Sequence, residues 1–160
     1  MHLITRSAAL AVLLVGALVL PVSAQAERPM YGRFIGYGIA VDQRCPGALT
    51  LGFAVSGNAT HLGAFAGTGT NCTEFTLATE AVDIWDGAAI LEAADGSTLT
   101  TSYEGGQGAP AAGVASFAHT HAVTGGTGRF EGAAGELTVS GSIDFASLTI
   151  SGTVSGWLSY

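Results

Sequence analysis

The C-terminal part of the chain reads Leu137-Thr138-Val139-Ser140-Gly141-Ser142-Ile143-Asp144-Phe145 and then, past Ala146-Ser147, Leu148-Thr149-Ile150-Ser151-Gly152-Thr153-Val154-Ser155-Gly156-Trp157-Leu158. Leu137, Val139, Ile143 and Phe145 alternate with Thr138, Ser140, Ser142 and Asp144, and Leu148, Ile150, Val154 and Leu158 alternate in the same way with Thr149, Ser151, Thr153 and Ser155. Successive side chains of an extended backbone point to opposite faces, so each run has one apolar and one hydroxyl-rich face; the short gap predicts an antiparallel pair. Further upstream, Leu49, Leu51, Phe53 and Val55 alternate with Thr50, Gly52, Ala54 and Ser56, and Thr73, Phe75 and Leu77 form a shorter run.

The turn signals agree. Asp95-Gly96 between Ala88–Ala94 and Ser97–Tyr103 predicts a two-residue type I′ hairpin, in which both central residues take positive φ. Gly57-Asn58 and Gly125-Gly126 read as further punctuation. Over 81–94, Val82, Ile84, Trp85, Ala88, Ala89 and Leu91 fit a helical stripe as well as a strand, and strand is the reading adopted. Segments near 31–41, 48–56, 60–67, 72–79, 82–94, 97–104, 113–124, 136–145 and 147–159 then give eight or nine strands, and their short connections favour a meander. A long sheet with one apolar face must cover that face, and closure on itself also removes the exposed edges. The predicted fold is therefore all-β, a single closed antiparallel barrel of eight strands. Three Gly-x-Phe-x-Gly units, Gly32–Gly36, Gly63–Gly67 and Gly128–Gly132, suggest tight corners at which a ring plugs a barrel end.

Composition limits the rest. The chain has 160 residues, 48% hydrophobic and 11% charged, with five arginines, no lysine and twelve acidic residues. One domain is expected at this length. Met1–Arg6, an apolar run from Ala8 to Leu20, and Ala24-Gln25-Ala26 form the n-region, h-region and cleavage site of a secretory signal peptide over residues 1–26, leaving 27–160 as the barrel domain. The apolar run falls short of the roughly 20 residues that span a bilayer as a helix. Loss of Arg6 takes the formal charge from −7 to about −8, a balance that disfavours nucleic acid and anionic membrane surfaces. The expected location is secreted or periplasmic, with no nucleic-acid partner and no membrane insertion.

In an oxidising compartment two thiols pair, so Cys45 and Cys72 are expected to form a disulfide that closes a long loop, worth about 3.6 kcal/mol on chain-entropy grounds. Asn58-Ala59-Thr60 and Asn71-Cys72-Thr73 fit the glycosylation acceptor pattern.

Three stretches carry a resemblance: Thr60-His61-Leu62-Gly63-Ala64-Phe65-Ala66-Gly67-Thr68-Gly69, Ala93-Ala94-Asp95-Gly96-Ser97-Thr98-Leu99, and Thr124-Gly125-Gly126-Thr127-Gly128-Arg129-Phe130-Glu131-Gly132-Ala133-Ala134-Gly135. From Thr60 to the C-terminus the chain resembles allene oxide cyclase barrel-type proteins, above all their small exported bacterial members. The resemblance implies the calycin-like eight-stranded barrel that plant allene oxide cyclases share with dirigent proteins. It also implies an apolar small molecule in the barrel, ring closure or coupling steered by shape, and a trimer. The matching segments are glycine-rich corners and contain no pocket motif, so the resemblance assigns no catalytic residue.

Period two puts Phe117, His119, His121 and Val123 on one face of their strand, with the imidazoles about 7 Å apart. A zinc site using His61 as third ligand is conceivable, but His-x-His alone is a weak motif and no metal or other cofactor is assigned. The preferred reading makes Phe117, His119, His121 and Tyr103 the ligand-binding residues of an otherwise apolar pocket. Asp83 with Asp86 and Glu131 with Glu136 are read as solvated carboxylates, Trp85 and Trp157 as core or barrel-end packing, and no Gly-x-Ser-x-Gly elbow occurs. The expected function is a secreted binding module for an apolar small molecule or a partner, with no turnover assigned. The alternatives are a cofactor-independent cyclase, isomerase or dirigent-type protein, and an outer-membrane or surface adhesive barrel.

Overall fold

A computed structural model describes residues 26–41, 44–76, 81–108 and 110–160. The predicted signal segment, apart from Ala26, lies outside them. Eight strands follow in order: β1 Arg28–Ala40, β2 Leu49–Ala59, β3 Gly63–Thr76, β4 Ala81–Ala93, β5 Thr98–Gln107, β6 Val114–Gly126, β7 Ala134–Asp144 and β8 Thr149–Ser159. Each pairs antiparallel with the next, and β1 pairs with β8, so the meander closes into a barrel. The C-terminal runs form the predicted pair, with Val139 opposite Val154 and Ile143 opposite Ile150.

Local geometry departs from the sequence reading at several points, each for a physical reason. The segments read near 60–67 and 72–79 join within Gly63–Thr76 as one strand, β3, whose pairing with β4 changes register between Thr70 and Cys72; residues 77–79 lie outside the described ones. Glycines occupy the intervening inward positions: a β-carbon at Gly67 would sit 2.6 Å from the Leu91 side chain, and one at Gly69 would run into the Phe53 ring. In β4 a second irregularity between Ile84 and Gly87 shifts the inward positions from Val82 and Ile84 to Gly87, Ala89, Leu91 and Ala93. A strand whose parity slips by one residue has spacings of three and four, which is why this stretch mimics a helical stripe.

The Asp95-Gly96 hairpin is not type I′. Among the described residues only Gly96 of this pair has positive φ, at 80°. The Gly96 N–H donates to Ala93 O and the Ala93 N–H to Ser97 O, each at 2.9 Å, while the Asp95 carboxylate accepts the Ser97 N–H at 3.0 Å. This is a type I turn closed by a left-handed glycine, with Asp95 serving as the side-chain cap of the turn. Gly57-Asn58 lies within β2 and is not a turn. Of the three Gly-x-Phe-x-Gly units only Gly128–Gly132 is a corner in full, built on the 3-10 turn Gly128–Phe130; the first lies wholly within β1 and the second runs from the start of β3 into its middle.

The two ends differ. At one, Met30, Leu62, Phe65, Leu99, Phe130, Leu137 and Leu158 form a buried plug. Phe130 is wholly buried and meets Tyr160 edge-on, ring centroids 5.0 Å apart. Arg129 pairs with Asp95 and donates to the carbonyls of His61 and Leu62, so one guanidinium joins three turns over the plug. The Ser97 N–H, with Arg129 adding to it, holds the Asp95 carboxyl below its ordinary value. Trp85 and Trp157 are not core residues: both lie on the outward parity of their strands and are more than a third exposed.

At the opposite end Cys45 and Cys72 form the expected disulfide. Thr50 and Cys72 face outwards, opposite in parity to Leu49, Leu51, Asn71 and Thr73, which line the interior. Thr50 Oγ1 accepts the N–H groups of Arg44 and Cys45 at 2.8 and 3.2 Å, and Arg44 pairs with Asp86. The chain between β1 and β2 is thereby fastened to the outer wall at Arg44 and Cys45.

Candidate functional site

Between the plug and the opposite end lies a cavity of about 610 Å³. Its wall comes from the inward parity of the strands, including Phe34, Phe53, Val55, Leu91, Phe117, Val139 and Ile150. The aromatic rings do not fill it because they lie against the wall. A β-carbon at Gly87 would sit 2.5 Å from the Tyr103 ring, one at Gly105 2.8 Å from His119, one at Gly141 2.9 Å from Phe117 and one at Gly152 2.6 Å from Phe34. Each glycine gives a neighbouring ring a recess in the wall, which leaves the barrel axis open.

Leu49, Phe145 and Leu148 at the unplugged end are 60%, 42% and 48% exposed, so the described residues there turn apolar side chains towards the entrance. Among the described residues, none of the side chains around the cavity is Asp, Glu, Lys or Arg.

Polar groups are few and concentrated on β3, β5 and β6. Phe117, His119 and His121 alternate inward along β6, and Tyr103 of β5 lies opposite His121. The rings form a stacked set: Phe117 to His119 at 5.0 Å, His119 to Tyr103 at 5.3 Å and Tyr103 to His121 at 4.3 Å between centroids. All four sequence-nominated pocket residues therefore meet on one wall of the cavity. Asn71, Thr73, Thr101 and Gln107 also contribute polar groups to the wall and were not singled out as pocket residues from the sequence. Thr73 Oγ1 donates to Asn71 Oδ1 at 2.9 Å, Asn71 Nδ2 donates to the Tyr103 hydroxyl at 3.0 Å, and that hydroxyl donates to Thr70 O at 3.4 Å. Asn71 is thus an inward hydrogen-bonding residue, although it heads an Asn-x-Thr acceptor pattern. Thr101 Oγ1 and His121 Nδ1 are hydrogen-bonded at 3.0 Å.

Burial governs the electrostatics. Desolvation pushes the Tyr103 hydroxyl up to about 12. It brings His119 down to about 4, and His121 down to about 3 with the neighbouring His119 adding to the effect. Both imidazoles are neutral at physiological pH. Among the described residues, the Nε2 atoms of His119 and His121 are buried without a hydrogen-bond partner. Such an atom costs about 1–3 kcal/mol in a folded protein, and both are covered by their neighbours in the wall.

The three-histidine set weighed from the sequence is not assembled. His61 sits beyond the plug in the β2–β3 turn, where its Nε2 lies 3.0 Å from Pro29 O and its Nδ1 3.2 Å from the Tyr160 hydroxyl. Asp83, Glu131 and Glu136 are exposed, and Asp86 pairs with Arg44.

No family model matches the chain, and no curated protein matches it.

Proposed function

We propose that the chain is an exported binding module that holds an apolar small molecule in its barrel. The observation that carries this reading is the cavity of about 610 Å³, whose wall is mostly apolar and, among the described residues, carries no charged side chain. Ligand sites of roughly 300–1,000 Å³ with a few convergent polar groups bury most of a small molecule. The signal-like N-terminus and the Cys45–Cys72 disulfide support export, and the resemblance to allene oxide cyclase barrel-type proteins supports the same kind of cargo.

The distribution of polarity argues against an outer-membrane barrel. Thr68, Ser102, Ser116, Thr120, Thr138, Ser151 and Thr153 face outwards and are exposed, whereas the interior is apolar. A lipid-spanning barrel needs the reverse.

A second reading, shape-directed cyclisation or coupling of an apolar substrate, needs the same unfilled interior. The observation that favours it is the pair of buried neutral imidazoles beside a phenol, groups able to move a proton where water is excluded.

Titration with the uncharged fluorescent probe N-phenyl-1-naphthylamine tests the binding reading. The expected result is saturable binding at one site per chain that is lost in Val139→Trp, which fills the interior from β7. A probe signal that never saturates, or that Val139→Trp leaves unchanged, contradicts it.

A further inference from the structure

We infer that the barrel's cargo is an uncharged molecule with a hydrocarbon body, a terpene or a neutral ester, and that the anions of fatty acids are turned away from the same cavity. The inference rests on the binding reading above and adds the charge class of the ligand.

An acyl chain fills an apolar barrel favourably only if its carboxylate is balanced, by a cation within reach or by water outside. The chain beyond residue 26 contains four arginines and no lysine, and the fold keeps all four guanidinium groups off the cavity. Arg129 pairs with Asp95 over the plug, and at the same end Arg28 lies over the Tyr160 ring, 4.6 Å from its centroid. Arg33 has the outward parity of β1, opposite Asn58 and Thr153. Arg44 stands at the unplugged end, and there it is committed to the outer wall, where it donates to both the carboxylate and the backbone carbonyl of Asp86.

That end of the barrel is acidic instead. Glu74 and Asp83 stand opposite one another on β3 and β4, both exposed, and Asp144 closes β7. A carboxylate head left in water at the entrance therefore meets a repulsive field. An ammonium group drawn inside fares no better, since among the described residues no carboxylate lines the cavity.

The polar wall offers an ion no substitute. Asn71, Thr73, Thr101, Tyr103 and His121 are each only 4–7% exposed, and they are hydrogen-bonded to one another or to the backbone. His119 is neutral at physiological pH, and Gln107, at the last position of β5, is an uncharged amide. Neither balances a full charge where water is scarce. The same wall asks little that is polar of a ligand, because its own polar groups are bonded within it or covered. A hydrocarbon thus suits the interior as well as an ester does.

Competition against N-phenyl-1-naphthylamine at pH 7.5 reads out the inference, with methyl octanoate, octanoate, octylammonium and the hydrocarbon limonene as competitors. Methyl octanoate carries the acyl chain of octanoate without its charge and is expected to bind at least about a hundredfold more tightly. Limonene is expected within about fivefold of the ester, and octylammonium well below both. Leu49→Arg and Gln107→Arg each put a cation at the entrance, and are made separately so that one can report if the other misfolds. They should raise the affinity for octanoate about fivefold and leave that for limonene in place. Octanoate or octylammonium binding as tightly as the ester overturns the inference. So does failure of limonene to displace the probe, which would make a polar head a requirement, and so does octanoate affinity that neither arginine variant raises. In all these cases the probe still binds, and the cavity reading survives; absence of saturable probe binding is instead the failure of that reading.

Discussion

The two ends of this barrel are made from the same eight strands and differ in what occupies the axis. At the plugged end Met30, Leu62, Leu99, Phe130, Leu137 and Leu158 are buried almost completely and belong to one packed cluster. Around the cavity the rings lie against glycines, the axis is unfilled, and among the described residues two buried imidazole nitrogens in the wall lack partners. Close packing stabilises the first region, whereas the second gives up packing and hydrogen bonds that a folded domain ordinarily keeps. Stability is expected to reside at the plug and binding in the cavity.

That contrast can be broken most forcefully at the plug. Phe130→Ala removes a wholly buried ring and is expected to cost about 3–5 kcal/mol in urea denaturation, enough to leave the chain largely unfolded on warming. Next comes the link at the unplugged end: Cys45→Ser with Cys72→Ser, or reduction, should lower stability by about 2–4 kcal/mol. The plug should stay intact in the folded fraction, visible as unchanged near-ultraviolet dichroism.

The third effect is set by pH. His119 and His121 have folded values of about 4 and about 3, below their ordinary value of 6.5. The unfolded chain therefore takes up protons first, and stability is full above about pH 6.5 and declines as pH falls towards 4. The groups facing these rings are Tyr103 on β5, Leu137 and Val139 on β7 and Phe117 on β6 itself, and none of them titrates in that window. A loss on the order of 2 kcal/mol per ring between pH 6.5 and 4 is expected from denaturation midpoints, and His121→Phe should remove about half of the total. The smallest effect sharpens the contrast from the other side. Val139→Ala deletes atoms that already border open space, so it should cost no more than about 1 kcal/mol, far less than Phe130→Ala.

The sequence made the architecture legible because period-two alternation is set by side-chain direction, which closure does not disturb. Leu137–Asp144 against Thr149–Leu158 paired as read, and the same parity brought Phe117, His119 and His121 to the interior beside Tyr103. Legibility failed where the ladder slips. The irregularity between Ile84 and Gly87 gave β4 a helical spacing, and glycines at the centre of β3 hid the continuity of that strand. The glycines beneath the rings were out of reach for a different reason: which ring lies over Gly87 or Gly141 depends on the register of the neighbouring strand. For the same reason Asn71 and Thr101 were missed, since only cross-strand pairing brings them to Tyr103 and His121. The tryptophans misled because their hydrophobicity outweighed their outward parity.

Crystals of the protein pressurised with xenon test the central contrast most directly, because xenon enters dry apolar cavities and is kept out of close-packed cores. Xenon should appear inside the barrel between Phe34, Phe53, Leu91 and Val139 and nowhere among Met30, Leu99, Phe130 and Leu158. Side chains filling the axis with no xenon among them, or xenon held at the plug, would contradict the account.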